Sequence, residues 1–176
     1  SRGLGDVYKR QSINDPEGCL TEEACSKESI GSFFKSDYEE ECLVLAYDHK
    51  VSVPTNTLTG QVTGSRKHEY LEVSKFIDKS SPLLLNSVTS PSELEVVLRF
   101  FRTPDETSAG EPVEYYNITL QRAKIVSINT VSPNILDVEN DGLMPYENVR
   151  FTYGLIQADH IVCGTTATDD WSGEGT

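Results

Sequence analysis

The sequence has few of the residues on which metal sites, redox centres and membrane helices depend. Its 176 residues include one Trp, one Met, three His and four Cys. The cysteines form no Cys-x-x-Cys pair, so the ligand spacing typical of a zinc or redox site is missing. No apolar run approaches the ~18 residues that a membrane-spanning helix needs. These absences argue against a thiol-ligated metal, a dithiol redox centre and a transmembrane helix.

The cysteines are also too few and too scattered for a disulfide-stapled scaffold. Cys42 and Cys163 lie in apolar, strand-like segments, where a buried and reduced thiol is the usual state. A bridge between Cys19 and Cys25 remains an open alternative. We expect reduced thiols and synthesis in a reducing compartment.

Motifs that mark catalysis are missing as well. We find no nucleophile elbow, Walker loop, dinucleotide fingerprint or His-Glu-x-x-His pair. His49, His68 and His160 are far apart in sequence, and nothing points to a triad assembled by folding. The sequence therefore predicts no enzyme, no cofactor and no bound metal.

The chain is strongly acidic, with 28 Asp and Glu against 15 Lys and Arg and a formal net charge of −13. Such a field repels nucleic acid and anionic membranes. One interpretation is an acidic surface for a basic client; the other, which we favour, is a solvated exterior. Neither a nucleic acid nor a membrane is expected as a partner.

Both ends of the chain differ in composition from its middle. Residues 1–11, SRGLGDVYKRQ, show no apolar period and look like translated read-through of a sequencing adapter. No apolar core of the ~7–15 residues found in a signal peptide precedes the body of the chain. We therefore expect an artefactual or disordered leader over residues 1–17, a folded domain over 18–164 and a mobile polar tail over 165–176.

The middle of the chain has the patterns of a mainly β protein with one helix. The segment Glu93 to Arg102 alternates apolar residues on one face, as in a half-buried strand. Ser81 followed by Pro82 is typical of a helix start, and Pro91 forbids continuation. The predicted fold is a compact β-barrel or two-sheet domain with one short flanking helix at about 81–90.

Two irregularities qualify that pattern. Val97 and Phe101 lie on the face that should meet solvent, so either a subunit interface or a curved barrel wall covers them. Between Val113 and Ser132 the alternation slips, which predicts a bulge or bend near Gln121 and Arg122.

Three stretches resemble the Hcp proteins of bacterial type VI secretion. They are IDKSSPLL, which follows GSRKHEY and precedes LEVVLRFFR; ESIGSFF with DYEEECLVLAYDH; and ENVRFTYGLIQADHIVCGT. The resemblance covers about Gly18 to Trp171. Two departures stand out: Ala158 replaces a Trp that related chains often carry, and we find no strand before Gly18, where Hcp-like proteins begin with one.

The resemblance implies a structural role. Hcp-like proteins form hexameric rings that stack into the inner tube of the secretion apparatus. The partners of this chain would then be other copies of itself, the type VI spike and sheath proteins, and effector proteins in the lumen. Such a protein is made in the bacterial cytoplasm and leaves through the type VI apparatus without a signal peptide.

One long connection fits that role. The stretch between Pro54 and Tyr70 exceeds the ~2–5 residues of an ordinary hairpin loop, and the family has an extended loop here that helps one ring grip the next. The alternative is a plain flexible loop. The candidate ring-stacking residues are Pro54, Thr55, Asn56, Thr57, Leu58, Thr59, Gly60, Gln61, Val62, Thr63 and Gly64.

A basic cluster follows directly. Arg66, Lys67 and His68 are the only basic group in this stretch, and we expect them to pair with carboxylates on an adjacent subunit. Two rival functions remain open at this point: a phage tail-tube subunit with the same architecture, and a monomeric ligand-binding or hydrolytic β-barrel.

Overall fold

A computed structural model describes residues 7–33, 36–103, 112–134, 136–140 and 142–171. Helix α1 spans Lys27–Ile30 and helix α2 spans Ser81–Thr89, and short 3₁₀ turns lie at Gly31–Phe33, Ser36–Tyr38 and Val138–Asn140. The strands are β1 Val7–Asp15, β2 Gly18–Cys19, β3 Cys42–Asp48, β4 Val51–Ser52, β5 Lys67–His68, β6 Leu71–Phe76, β7 Leu94–Arg102, β8 Val113–Val131, β9 Tyr146–Thr152, β10 Leu155–His160 and β11 Thr165–Asp170.

Strand β8 closes the sheet into a barrel. The antiparallel order runs β8, β7, β1, β3, β6 and β9, and β9 then pairs with the second half of β8. The first half of β8 also pairs with β10, which carries β11 at its far side. The mainly β fold is thus confirmed as a closed barrel with a flanking β10–β11 hairpin.

The barrel interior is filled by alternate strand residues, as the sequence pattern predicts. In β7 these are Leu94, Val96, Leu98 and Phe100, each buried. Fully burying such a side chain contributes about 1.5–3 kcal/mol. Leu84 of α2 packs into the same core from outside the sheet.

The amino-terminal expectation is corrected by β1. Val7–Asp15 pairs with β7 on one side and β3 on the other, so a disordered leader over 1–17 is wrong for these residues. The strand that seemed to be missing before Gly18 is here, and with it the barrel closes. Because Arg10 and Gln11 are buried in it beside Ile13, no apolar alternation marks it. Residues 1–6 lie outside the described residues.

The carboxy-terminal expectation is corrected as well. Thr165–Asp170 is strand β11 rather than a mobile tail, and Trp171 packs against the hydrophobic core. β11 is an edge strand whose side chains are mostly exposed, so it lacks the apolar pattern that would reveal it. Residues 172–176 are not described.

The helix and the bulge agree with the sequence. Helix α2 matches the predicted span to within one residue, although its N-cap position is Ser80 and not Ser81. Arg122 adopts a positive φ of 51°, and two residues of β8, Gln121 and Arg122, face one residue of β7, Glu95, which confirms the bulge. Among the described residues no helix is both long and apolar enough to cross a membrane.

On the outer face of β7, Phe101 is covered from within the chain. Phe101 stacks on Tyr8 with 4.8 Å between ring centroids and meets the ring of Tyr38 at 5.4 Å. Only 4% of Phe101 is exposed. The barrel-wall interpretation therefore holds for Phe101, and the subunit interface is not needed to cover it.

All four cysteines are free. Cys42 is buried as expected, and no Cys19–Cys25 bridge is formed. Cys163 is exposed, so the expectation of a buried thiol there is wrong. It lies in the turn between β10 and β11, where the apolar residues before it face solvent and not a core.

Candidate functional site

The long connection folds as a β-hairpin that we call the arm, residues 51–68. Its base is a separate two-stranded sheet in which Val51 pairs with His68 and Ser52 with Lys67. Further out, Thr55 and Val62 form an isolated bridge. The arm is therefore held by its own backbone hydrogen bonds along its length.

The tip of the arm is an Asn turn. The Oδ1 atom of Asn56 accepts hydrogen bonds from the backbone N–H groups of Leu58 at 2.8 Å and Thr59 at 3.2 Å. Gly60 follows with a φ of 71°, a conformation that glycine adopts without steric penalty. These local bonds close the turn without support from the barrel.

All eleven candidate stacking residues are exposed. Two of them are large and apolar: Leu58 at the tip is 94% exposed, and Val62 is 67% exposed. An apolar side chain that is almost fully exposed on an ordered turn buries no apolar surface within its own chain, so it does not stabilise the fold. Such exposure is typical of a contact surface for another molecule.

The predicted basic cluster is split by the fold. Lys67 faces solvent, whereas Arg66 and His68 are engaged by their own chain. The Nε atom of Arg66 donates to Oδ2 of Asp169 at 2.6 Å. The side chain of His68 is only 2% exposed. Of the three, Lys67 is exposed to the solvent around the arm, whereas 31% of the Arg66 side chain remains exposed.

At the base of the arm, four side chains form a hydrogen-bonded chain that we call the relay. The Nε2 atom of His49 lies 2.6 Å from the hydroxyl oxygen of Tyr153, and Nδ1 of His68 lies 2.9 Å from the same oxygen. The Nε2 atom of His68 lies 2.9 Å from Oδ2 of Asp169. His68 thus joins β5 of the arm directly to Asp169 of β11, and Tyr153 joins His68 to His49.

Tyr153 stands where the barrel and the flanking hairpin diverge. It follows β9, which stays in the barrel, and precedes β10, which leaves it to pair with β11. Trp171 closes the site from the other side: its ring stacks on His68 with centroids 5.2 Å apart and an interplanar angle of 4°. Its backbone N–H donates to the carbonyl oxygen of Gly154 at 3.1 Å.

The site perturbs its ionisable groups. The hydrogen bond from Arg66, with a further one from His68, holds the pKa of Asp169 below its usual value. Burial, and next the proximity of His68, lowers the pKa of His49. Burial raises the pKa of Tyr153. At neutral pH the relay therefore contains an ionised Asp169 and a neutral His49.

Sequence reasoning missed the relay. Its members are separated by as many as 120 positions, and no spacing rule links them, so only the fold brings them together. In the part of the chain that the structure describes, no group of three or more His, Cys, Asp or Glu side chains is arranged to hold a metal ion.

Comparison with known proteins gives the chain its family. The family described as "Type VI secretion system effector, Hcp" matches residues 14–160. A relative named "Major exported protein", from Pseudomonas aeruginosa, is 35% identical over 156 residues, which is 88% of this chain and 89% of that protein.

Solved structures agree. A crystal structure titled as an Hcp protein superposes with a TM-score of 0.89 at 29% identity and covers 96% of this chain and 99% of that one. The secreted protein Hcp3 from Pseudomonas aeruginosa gives a TM-score of 0.77 at 30% identity, over 94% and 98% of the two chains. On these findings, this chain belongs to the Hcp family of type VI secretion proteins.

Proposed function

We propose that this chain is a subunit of the type VI inner tube, assembling into hexameric rings that stack end to end. Its partners are other copies of itself, the spike and sheath proteins, and effector proteins in the lumen. It is made in the cytoplasm and exported by the apparatus itself. Membership of the Hcp family supports this proposal, and the role needs shape and no catalytic group.

A closed barrel suits a tube wall because its main-chain hydrogen bonds are satisfied around the ring of strands, which makes it stiff. Beside the barrel, β11 offers one edge that no strand of the described chain covers. Such an edge is a ready template for pairing with a second chain. An uncovered edge of this kind supports lateral association between subunits. Head-to-tail contacts between copies of one chain close into a ring when the rotation between neighbouring copies permits it.

The observation that carries the stacking role is the arm. It is ordered by its own hydrogen bonds, stands outside the barrel sheet and presents Leu58 almost entirely to water. In a stacked tube, the tip would bury this side chain against the next ring. At the base of the arm, the exposed charge of Lys67 is available to a carboxylate on a neighbouring subunit.

A shortened arm tests this. Replacing Thr57 to Gly60 with Asn-Gly removes the tip, keeps the Thr55–Val62 bridge and leaves the relay untouched, because a two-residue Asn-Gly turn can close on the hydrogen-bonded pair of Asn56 and Gln61. We expect single rings to persist and stacks to be lost, as seen by electron microscopy and by sedimentation. If the shortened variant stacks as well as the parent, the proposed role of the arm in stacking is wrong.

A matched pair of point variants refines the test. Leu58→Ser removes the apolar tip, and Leu136→Ser changes a side chain that is nearly as exposed, at 87%, in another part of the chain. We expect the first to weaken stacking and the second to leave it unchanged. Equal effects would mean that stacking does not depend on the tip.

A further inference from the structure

An apolar depression that we call the groove lies beside the short helix α1. Its walls are the end of α1 with the 3₁₀ turn that follows it, the end of β6, and the segment before β9. Its volume is about 330 Å³, enough to admit one aliphatic side chain. The apolar residues that line it are Ile30, Phe33, Phe76, Ile77 and Met144.

The groove is formed within the single chain. The ring of Phe33 packs on that of Phe76 with 4.9 Å between centroids. The Oγ atom of Ser29 accepts from the backbone N–H of Lys79 at 2.8 Å and donates to the carbonyl oxygen of Ala24 at 2.7 Å. These bonds hold α1 against the loop between β6 and α2. A site that is already formed binds without the cost of ordering its walls.

The groove presents apolar surface to water. Ile77 and Met144 are both exposed, although each lies next to the buried or half-buried rings and side chains of the groove. Concave apolar surface of this kind is typical of a docking site.

The arm and the groove lie at opposite ends of the same strands. β6 begins at Leu71, close to the base of the arm, and ends about 17 Å away at Phe76, in the groove. Met144 belongs to the same far end, because it precedes Tyr146, which pairs with Phe76. Copies aligned end to end therefore bring the arm end of one copy against the groove end of the next.

The two surfaces also match in charge. Residues 51–65 of the arm carry no charged side chain, although Asp, Glu, Lys and Arg make up 24% of the chain. Among the described residues, none that lines the groove is charged. Each copy has a net charge of −13, so copies repel one another in general. An uncharged arm and an uncharged groove meet without that repulsion.

From these observations we propose that the groove receives Leu58 from the arm of a neighbouring copy. Leu58 supplies the exposed apolar side chain, and Ile77 and Met144 cover it; the flexible thioether of Met144 adapts to its shape. Because the two copies use different surfaces, the contact is head-to-tail and repeats from copy to copy. The inference rests on the tube function proposed above and adds the surface on which the arm docks.

Cross-linking tests the contact without altering it. The full-length chain first receives Cys19→Ser and Cys163→Ser, which remove the two cysteines that are not buried. Thr57→Cys then places a thiol beside Leu58, and Ser32→Cys places one at the exposed edge of the groove. The control pair is Thr57→Cys with Val126→Cys, because Val126 is exposed too but lies in β8 near the partners of Arg150 and Phe151, away from the groove.

A bismaleimide with a short spacer joins thiols that lie close together. In Thr57→Cys with Ser32→Cys we expect a ladder of covalent oligomers on a denaturing gel, since every chain then carries one thiol for each neighbour. The control pair should give roughly tenfold less product. Mass spectrometry of the cross-linked peptides identifies the joined positions, and circular dichroism checks the fold of each variant.

A double-mutant cycle measures whether Leu58 and Ile77 act on each other. Ile77→Ser should raise the concentration at which stacks form by roughly tenfold, as Leu58→Ser should. The double variant should stack almost as well as either single variant, because the first change already removes the contact. Val126→Ser should stack like the parent and simply add to Leu58→Ser.

Several results would overturn the proposal. Stacks in electron micrographs without a link between positions 57 and 32 would show that another surface receives the arm, and the tube function would stand. Dimers from Thr57→Cys alone, in the yield expected for the ladder, would show that two tips meet each other. Independent effects of Leu58→Ser and Ile77→Ser would also contradict it. A chain that forms neither stacks nor cross-links overturns both proposals, whereas ladders without six-membered rings support the groove and contradict the tube.

Discussion

The ammonium group of Lys75 lies 2.8 Å from Oε1 of Glu147, and both side chains are almost completely buried. The two residues face each other across β6 and β9. Lys75 also lies 2.9 Å from Oδ1 of Asp78, and Ser81 Oγ donates to Glu147 at 2.8 Å. This buried ion cluster ties the barrel wall to the start of α2.

The cluster predicts a large effect of Lys75→Met. Burial alone lowers the pKa of Lys75, but the anionic groups around it together outweigh burial and raise it, so the ammonium is firmly charged. Without it, two buried carboxylates remain unpaired, and we expect the free energy of unfolding to fall by about 3–5 kcal/mol. Urea denaturation measures this. Lys50→Met, at an exposed pair, is the control and should change nothing measurable; equal losses would contradict the account.

Docking of α2 predicts a contrast between neighbours on the helix. Leu84 is fully buried against the barrel, and Leu85 is 57% exposed. Leu84→Ala should lower the free energy of unfolding by about 2–5 kcal/mol through lost burial and the cavity left behind. Leu85→Ala should change it by less than about 0.5 kcal/mol. Similar values for the two would mean that α2 docks through another face.

The Tyr153 hydroxyl serves both histidines of the relay. Tyr153→Phe removes the partner of His49 and of the buried Nδ1 atom of His68, and we expect a loss of about 1–3 kcal/mol at pH 7.5. Tyr70→Phe, at a tyrosine that is 58% exposed, provides the comparison and should be near neutral. If Tyr153→Phe proved as stable as Tyr70→Phe, the claim that the relay stabilises the fold would be wrong.

Thiol labelling distinguishes Cys163 from Cys42. Cys163 is exposed, whereas Cys42 is buried, and burial raises its thiol pKa. Since the thiolate is the reactive form, a disulfide reagent at pH 8 should label Cys163 rapidly and Cys42 only on unfolding. Peptide mass spectrometry identifies the labelled residues. Rapid labelling of Cys42 in the folded protein would contradict the buried assignment.

The fold was predictable where one residue pattern dominates. The Ser-Pro start and the Pro91 stop located α2, and the alternation from Leu94 to Phe100 located β7. β1 and β11 were missed because their side chains do not alternate: β1 buries Arg10, and β11 is an exposed edge. Pairing with neighbours, and not local composition, determines both strands.

The candidate site was predictable only in part. Length and composition marked the arm, and the structure shows why it is ordered: the Asn56 turn and the Thr55–Val62 bridge. The engagement of Arg66 and His68 with Asp169 depends on tertiary folding, so the sequence could not show that these two residues of the basic cluster bond to a carboxylate of their own chain.

The mass of the purified chain in solution tests the central claim most directly. Light scattering coupled to size exclusion, at several concentrations, should give six times the 19.5 kDa of one chain, with larger stacked species as the concentration rises. Annular particles in electron micrographs of the same fraction should accompany that mass. A single 19.5 kDa species at every concentration would contradict a ring-forming tube subunit.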